Sequence, residues 1–113
     1  MIIENKPDQE AIQIAQRFGD LVKKQGVDVR KVLLFGSRAR GGWKPWSDVD
    51  ICVISPQFGK NVSEEMGMLL RLTVQLKSPF PVEPIPFGLD DLEDKFSTLA
   101  NEIRKYGVSV EIK

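Results

Sequence analysis

Residues 33–54 constrain the fold of this chain more than any other stretch, because two short apolar runs enclose a turn and a pair of acids. The runs are Val32–Phe35 and Ile51–Ile54. Their length and their content of branched and aromatic side chains predict two buried strands. A continuous apolar run also indicates that both faces of its strand are covered. We therefore expect a sheet with helices packed on it.

Asp48 and Asp50 lie at the start of the second predicted strand. Side chains alternate along a strand, so both acids point to the same face, with Cβ atoms roughly 6.6 Å apart. That separation allows both carboxylates to converge on a pair of metal ions about 3.5–4 Å apart. Acids at the mouth of an apolar strand are unfavourable unless a cation binds there. The pattern therefore predicts a metal site.

A glycine and a serine, Gly36 and Ser37, directly follow the first predicted strand. Glycine lets the backbone approach a phosphate closely, and the amides of a following helical turn favour an anion. Arg38 and Arg40 diverge on such a turn because they are two residues apart. We expect Arg38, which is nearer the turn, to contact phosphate and Arg40 to pair with a surface acid. Taken alone, a Gly-Ser turn is more often an ordinary strand-to-helix connection than a phosphate site. The acids downstream favour the phosphate site.

The composition excludes several kinds of chemistry. The chain has no histidine, which rules out histidine-assisted nucleophiles, histidine zinc sites and an imidazole base. Sixteen basic and sixteen acidic residues give a net charge of zero, which argues against a dedicated nucleic-acid binder. One cysteine and no membrane-length apolar run suit a cytoplasmic protein. At 113 residues we expect a single domain spanning residues 1–113.

The remaining pattern predicts an α/β (α+β) domain with a small mixed sheet. In chain order we expect a helix from Asp8 to Gly26, strands over 27–35 and 48–54, a helix over 61–77, an extended segment over 80–87, a helix from Asp90–Asp91 to Gly107 and a strand over 108–112. Asn61 and Glu64 form a potential capping box. Phe96 belongs to the apolar stripe of the last helix by its spacing.

Residues 80–87 contain three prolines, so they can form only an edge strand. Pro84 and Pro86 are two residues apart, so both lie on the same side of the strand. The amide of Glu83 lies on the other side and can pair with the neighbouring strand. Glu83 can therefore lie beside the strand of Asp48 and Asp50. The alternative is a solvated charge on an exposed edge.

Both tryptophans lie in the loop between the two apolar runs. Trp43 and Trp46 could stack on a base, contact a partner or pack on the sheet edge. We expect one of them to be packed and the other to be exposed.

The sequences Phe35–Gly41 and Ser47–Asp50 resemble, in order and spacing, the signature of the DNA polymerase β-type nucleotidyltransferase superfamily. The short chain is similar to its minimal nucleotidyltransferases. The resemblance implies the nucleotidyltransferase fold, two Mg²⁺ ions held by Asp48, Asp50 and a third acid, and a Gly-Ser turn that holds the nucleotide triphosphate. The third acid is usually aspartate in that family, and Glu83 stands at the matching position.

The resemblance also implies an activity and a partner. We expect transfer of a nucleoside monophosphate, AMP from ATP, to a hydroxyl group. In the family the acceptor is often a small helical HEPN protein, which the nucleotidyltransferase neutralises as the antitoxin of a toxin–antitoxin pair. A homodimer or a hetero-oligomer fits this role, without membrane binding or direct binding of nucleic acid. Two alternatives are a non-catalytic antitoxin module that binds the same partner and an aminoglycoside-type small-molecule nucleotidyltransferase.

Overall fold

Helices and strands alternate along residues 6–113, the part of the chain that this computed structural model describes. The elements are α1 (Gln9–Lys24), β1 (Lys31–Phe35), α2 (Ser37–Arg40), β2 (Val49–Ile54), α3 (Val62–Leu76), β3 (Val82–Phe87), a 3₁₀ turn (Asp91–Glu93), α4 (Thr98–Tyr106) and β4 (Val108–Val110). This order confirms the predicted α/β class, although β1 begins at residue 31 and not at residue 27.

The four strands form one mixed sheet in the order β3-β2-β1-β4. β1 pairs antiparallel with β2 and with β4, whereas β3 runs parallel to β2. β3 lies at an edge, as its prolines require. The register places Asp50 between Phe35 of β1 and Glu83 of β3. The acid near the start of β2 thus has a neighbouring acid on the edge strand.

Both faces of the sheet are covered. Val49, Ile51 and Val53 of β2 pack in the larger core with α1 and α3, whereas Cys52 and Ile54 pack in the smaller core with α4. The sheet therefore holds β2 between two apolar layers, as the continuous apolar runs predict. Among the helices of residues 6–113, none has the length and apolar character needed to cross a membrane.

The cap of α3 differs from its prediction in one residue. The Asn61 side chain accepts a hydrogen bond from the amide of Glu64 at 3.2 Å, as expected. The reciprocal acceptor, however, is Glu65, whose carboxylate accepts from the amides of residues 59–61. The preceding loop presents three amides to one side chain, and Glu65 satisfies all of them.

The start of α4 was predicted incorrectly. Ser97 caps this helix by accepting from the amide of Ala100 at 3.0 Å, so the helix begins seven residues later than expected. Asp90 and Asp91 instead stand at the start of the preceding 3₁₀ turn, Asp90 as its N-cap residue and Asp91 as its first residue, and the Asp91 carboxylate accepts from the amide of Gly88. Phe96 consequently lies before the helix and is 99% exposed.

A substitution at Gly19 can test how closely α1 packs on the sheet. A Cβ atom at this position would lie 2.6 Å from Ile112 Cγ2 and 2.9 Å from Val32 Cγ2. We expect Gly19→Ala to lower the free energy of unfolding by about 1–3 kcal/mol, because overpacking outweighs the gain in helix propensity. Urea denaturation measures the change.

Gly67→Ala in α3 is the matched control. The added Cβ would meet only the end of the flexible Arg71 side chain, at 3.4 Å. This variant should raise the free energy of unfolding by up to about 1 kcal/mol. Equal stabilisation by both substitutions would contradict the close packing at Gly19.

Candidate metal centre

Three carboxylates converge where β2 and β3 begin. Asp48, Asp50 and Glu83 each present an oxygen, and these oxygens lie within 4.8 Å of one another. Asp48 and Asp50 share a face because they are two residues apart, and Glu83 is the register partner of Asp50 across the parallel pair. The amide of Val49 joins the two segments by donating to the Pro81 carbonyl at 2.8 Å. The strand register therefore brings together the three acids that the sequence analysis grouped.

The environment of Asp50 favours a bound cation. Burial, reinforced by the charges of Glu83, Asp48 and Glu102, raises the pKa of the Asp50 carboxyl to about 6. Such a carboxylate is costly to ionise, and a cation relieves both the desolvation and the repulsion. The three side chains of the cluster offer carboxylate oxygens, which are the ligands that Mg²⁺ prefers.

Cys52 continues the same strand face inward but does not offer a ligand. It is fully buried, and burial raises the pKa of its thiol to about 12. The thiolate form is therefore unavailable at neutral pH. Cys52 is therefore an inert core thiol.

Gly36 makes room for the carboxylate of Asp50. Its φ angle is 75°, and a Cβ atom at this position would lie only 2.1 Å from Asp50 Oδ2. A side chain at residue 36 is therefore excluded both by backbone conformation and by space. Ser37 follows as the first residue of the single-turn helix α2. The Gly-Ser turn is thus in direct contact with the acid cluster, and its binding of phosphate remains a prediction.

The structure corrects the prediction that Arg38 contacts phosphate. Its side chain is 2% exposed and forms an ion pair with Asp8 at 2.5 Å. The other donors of the guanidinium bond to backbone carbonyls of the loop before Asp48. The guanidinium of Arg38 therefore binds partners within the protein and not a phosphate. Arg40, in contrast, pairs with Glu102 at 3.1 Å, as expected for the more exposed arginine.

The loop tryptophans also differ from expectation. Trp43 is 37% exposed and Trp46 is 74% exposed, so neither is packed in the core.

Sequence reasoning missed Glu102, which lies on α4 and adds its charge at Asp50. It also missed Phe80, whose ring lies 3.8 Å from the Arg38 guanidinium carbon. No local pattern identifies either residue, because each reaches its position through tertiary packing.

Comparison with known proteins gives a consistent result. A family model for a nucleotidyltransferase domain matches residues 12–107, which include the turn and all three acids. The crystal structure of a Sulfolobus solfataricus protein regarded as a nucleotidyltransferase is similar, with a TM-score of 0.53 and 26% sequence identity. The alignment covers 88% of this chain and 85% of that chain. A comparison with curated protein sequences finds no match.

The raised pKa of Asp50 predicts a stability change with pH. In metal-free protein its folded-state pKa of about 6 lies above the ordinary value of 3.8. The stabilisation from the bound proton is therefore full below about pH 4 and is lost as the pH rises through about 6. Asp50→Asn should melt above the wild type at pH 7–8, with a difference that closes towards pH 4. Thermal melts in EDTA measure this.

Asp28→Asn is a control for which the expected change in melting temperature at pH 7 has the opposite sign. The hydrogen bond from Arg30 lowers the pKa of the Asp28 carboxyl, so its pairing stabilises the fold above the ordinary pKa and is lost on acidification. Asp28→Asn should therefore melt slightly below the wild type at pH 7. A melting temperature of Asp50→Asn below that of the wild type across the whole range would contradict the cost assigned to burying the Asp50 carboxylate beside the other acids.

Gly36→Ala should disrupt the acid cluster. The added methyl group would displace the Asp50 carboxylate, so we expect Mn²⁺ affinity to fall at least about tenfold. Titration with Mn²⁺ followed by electron paramagnetic resonance measures the affinity. Gly42→Ala is the matched control, since Gly42 has a φ of 80° but no atom within 4 Å of an added Cβ. Equal losses in both variants would assign the effect to backbone strain alone.

Proposed function

The chain belongs to the nucleotidyltransferase domain family, and on that premise we propose that it transfers a nucleoside monophosphate from a nucleoside triphosphate to a hydroxyl acceptor. We propose ATP as the donor and AMP as the transferred group. The observation that carries this proposal is the convergence of Asp48, Asp50 and Glu83 within 4.8 Å, beside the turn at Gly36. Such a cluster suits two Mg²⁺ ions.

In the reaction, the acceptor oxygen forms a bond to the α-phosphorus, the bond from that phosphorus to the bridging oxygen breaks, and pyrophosphate leaves. Bound Mg²⁺ would be held by Asp48, Asp50 and Glu83, and it supplies neutralisation of phosphate charge and a lower pKa for the attacking hydroxyl. The Gly36 backbone allows close approach of the triphosphate, and the Ser37 hydroxyl orients it by a hydrogen bond.

The three acids have different positions and therefore different roles. Asp48 and Asp50 are partly buried, and Asp50 lies beside the turn at Gly36, so both would hold the metal ion bound to the nucleotide. Glu83 is exposed on the edge strand and is therefore the acid that an incoming acceptor can reach. We assign to the Glu83 carboxylate the removal of the proton from the acceptor hydroxyl.

The acceptor hydroxyl, in this proposal, belongs to a small helical protein of the HEPN type, and the chain acts as its antitoxin in the cytoplasm. One feature supports a protein acceptor. Trp46, two residues before Asp48, is 74% exposed and offers an aromatic contact beside the acids.

Label transfer tests the proposed activity. The purified chain is incubated with Mg²⁺, a small helical protein of the HEPN type, and either α- or γ-³²P-labelled ATP. Nucleotidyl transfer labels the acceptor from α-labelled ATP only, whereas phosphoryl transfer would label it from γ-labelled ATP only. Parallel reactions with the other three nucleotides establish the preference for the base. Binding of the helical protein without label from any nucleotide would favour the non-catalytic antitoxin.

Glu83→Gln should abolish label transfer and leave the stabilisation by Mg-ATP largely intact, because Asp48 and Asp50 still hold the nucleotide-bound metal. Glu83→Asp should keep substantial activity, since it retains a carboxylate at the strand edge. Initial rates and thermal shifts with Mg-ATP separate the two effects. The exposed Glu111, which follows β4, provides the control substitution Glu111→Gln. Transfer at the wild-type rate by Glu83→Gln would make Glu83 an ordinary surface charge.

A further inference from the structure

Arg38 is a buried cation that the proposed chemistry does not use. Its side chain is 2% exposed, and that of its ionic partner Asp8 is 12% exposed. Asp8 is also the N-cap residue of α1, and its amide donates to the Arg38 carbonyl at 2.8 Å. The pair therefore joins the start of α1 to the turn that contains Ser37. A charge buried this deeply requires partners for all sides of the guanidinium.

The remaining donors of Arg38 bind the loop that leads into the acid cluster. Nε donates to the Ser47 carbonyl at 2.8 Å, and Nη2 donates to the carbonyls of Lys44 and Pro45 at 3.2 and 3.3 Å. Ser47 immediately precedes Asp48. One planar group thus fixes three carbonyls of a loop that otherwise has few internal hydrogen bonds.

The face of the guanidinium contacts the segment that leads into β3. The Phe80 ring centroid lies 3.8 Å from the guanidinium carbon, which is a close cation–π contact. Phe80 is followed by Pro81, whose carbonyl accepts from the amide of Val49. The same side chain therefore contacts the backbone before Asp48 and the segment before Glu83.

Lysine could not make this set of contacts. Arginine presents five N–H donors in a fixed plane and stacks on aromatic rings, whereas lysine is a single point of charge on a flexible stem. We propose that Arg38 is a positioning residue, which holds Asp48 and Glu83 at the separation that the metal cluster needs. This proposal rests on the proposed function in one respect, which is the identity of the ligand that Asp48 and Glu83 bind.

Mn²⁺ binding to the full chain without nucleotide tests this role. Arg38→Lys keeps the charge but loses the planar fork, and we expect Mn²⁺ affinity to fall about 10- to 100-fold, as for other residues that orient metal ligands. Asp8→Asn breaks the ion pair but leaves the contacts of Arg38 with the loop carbonyls. It should lower the melting temperature and leave Mn²⁺ affinity unchanged.

Arg30→Lys is the matched control. Arg30 also makes a two-pronged ion pair, with Asp28, but its amide bonds to the Ile54 carbonyl at the opposite end of β2 from the acids. This substitution should leave Mn²⁺ affinity unchanged. If Arg38→Lys lowers the melting temperature as Asp8→Asn does and also leaves Mn²⁺ affinity unchanged, Arg38 only stabilises the fold and the proposal is wrong.

Hydrogen exchange of the metal-free protein separates this proposal from the proposed function. The amides of Ser47 and Val49 bond to the Lys44 and Pro81 carbonyls, so they report the order of both segments. Both amides should exchange faster in Arg38→Lys than in Arg30→Lys. If the wild type binds no Mn²⁺, the proposed function fails. Hydrogen exchange then decides the role of Arg38 by itself. Equal exchange rates of the Ser47 and Val49 amides in Arg38→Lys and Arg30→Lys would overturn that role.

Discussion

Mutual repulsion among three carboxylates is the constraint around which this fold is arranged. Two unit charges 4 Å apart repel by about 4 kcal/mol at an effective dielectric constant of 20. Burial is the main cause of the raised pKa of Asp50, and this repulsion adds to it. Free side chains would move apart, so the cluster exists only because the backbone beneath Asp48, Asp50 and Glu83 is fixed. The fixed backbone, in turn, is the product of apolar burial on both faces of β2.

Three separate features hold that backbone. The β2–β3 register sets Glu83 opposite Asp50, the missing side chain of Gly36 leaves space for the Asp50 carboxylate, and the buried Arg38 ties the two approaching segments together. Each feature consists of contacts within the protein itself. Contacts of this kind reduce the ordering that cation binding must otherwise impose.

The sequence predicted the parts of the site that depend on short-range regularities. Alternation along a strand placed Asp48 and Asp50 together, and the parity of the prolines directed Glu83 towards β2. Arg38 was predicted incorrectly because its ionic partner lies thirty residues away in the chain. Phe96 was misplaced because helical spacing continues across a boundary that only the Ser97 cap defines. Glu102 gave no signal at all, since its effect on Asp50 arises from the packing of α4.

The prolines of β3 also determine how this sheet can meet other chains. In the parallel pair with β2, the amides of residues 83, 85 and 87 face inward, so the outer side of the strand belongs to residues 82, 84 and 86. Two of these three are prolines and have no N–H group. A second strand laid along this margin would find almost no hydrogen-bond donors. The acids can therefore lie at an open border of the sheet, accessible to an incoming side chain yet protected from edge-to-edge polymerisation.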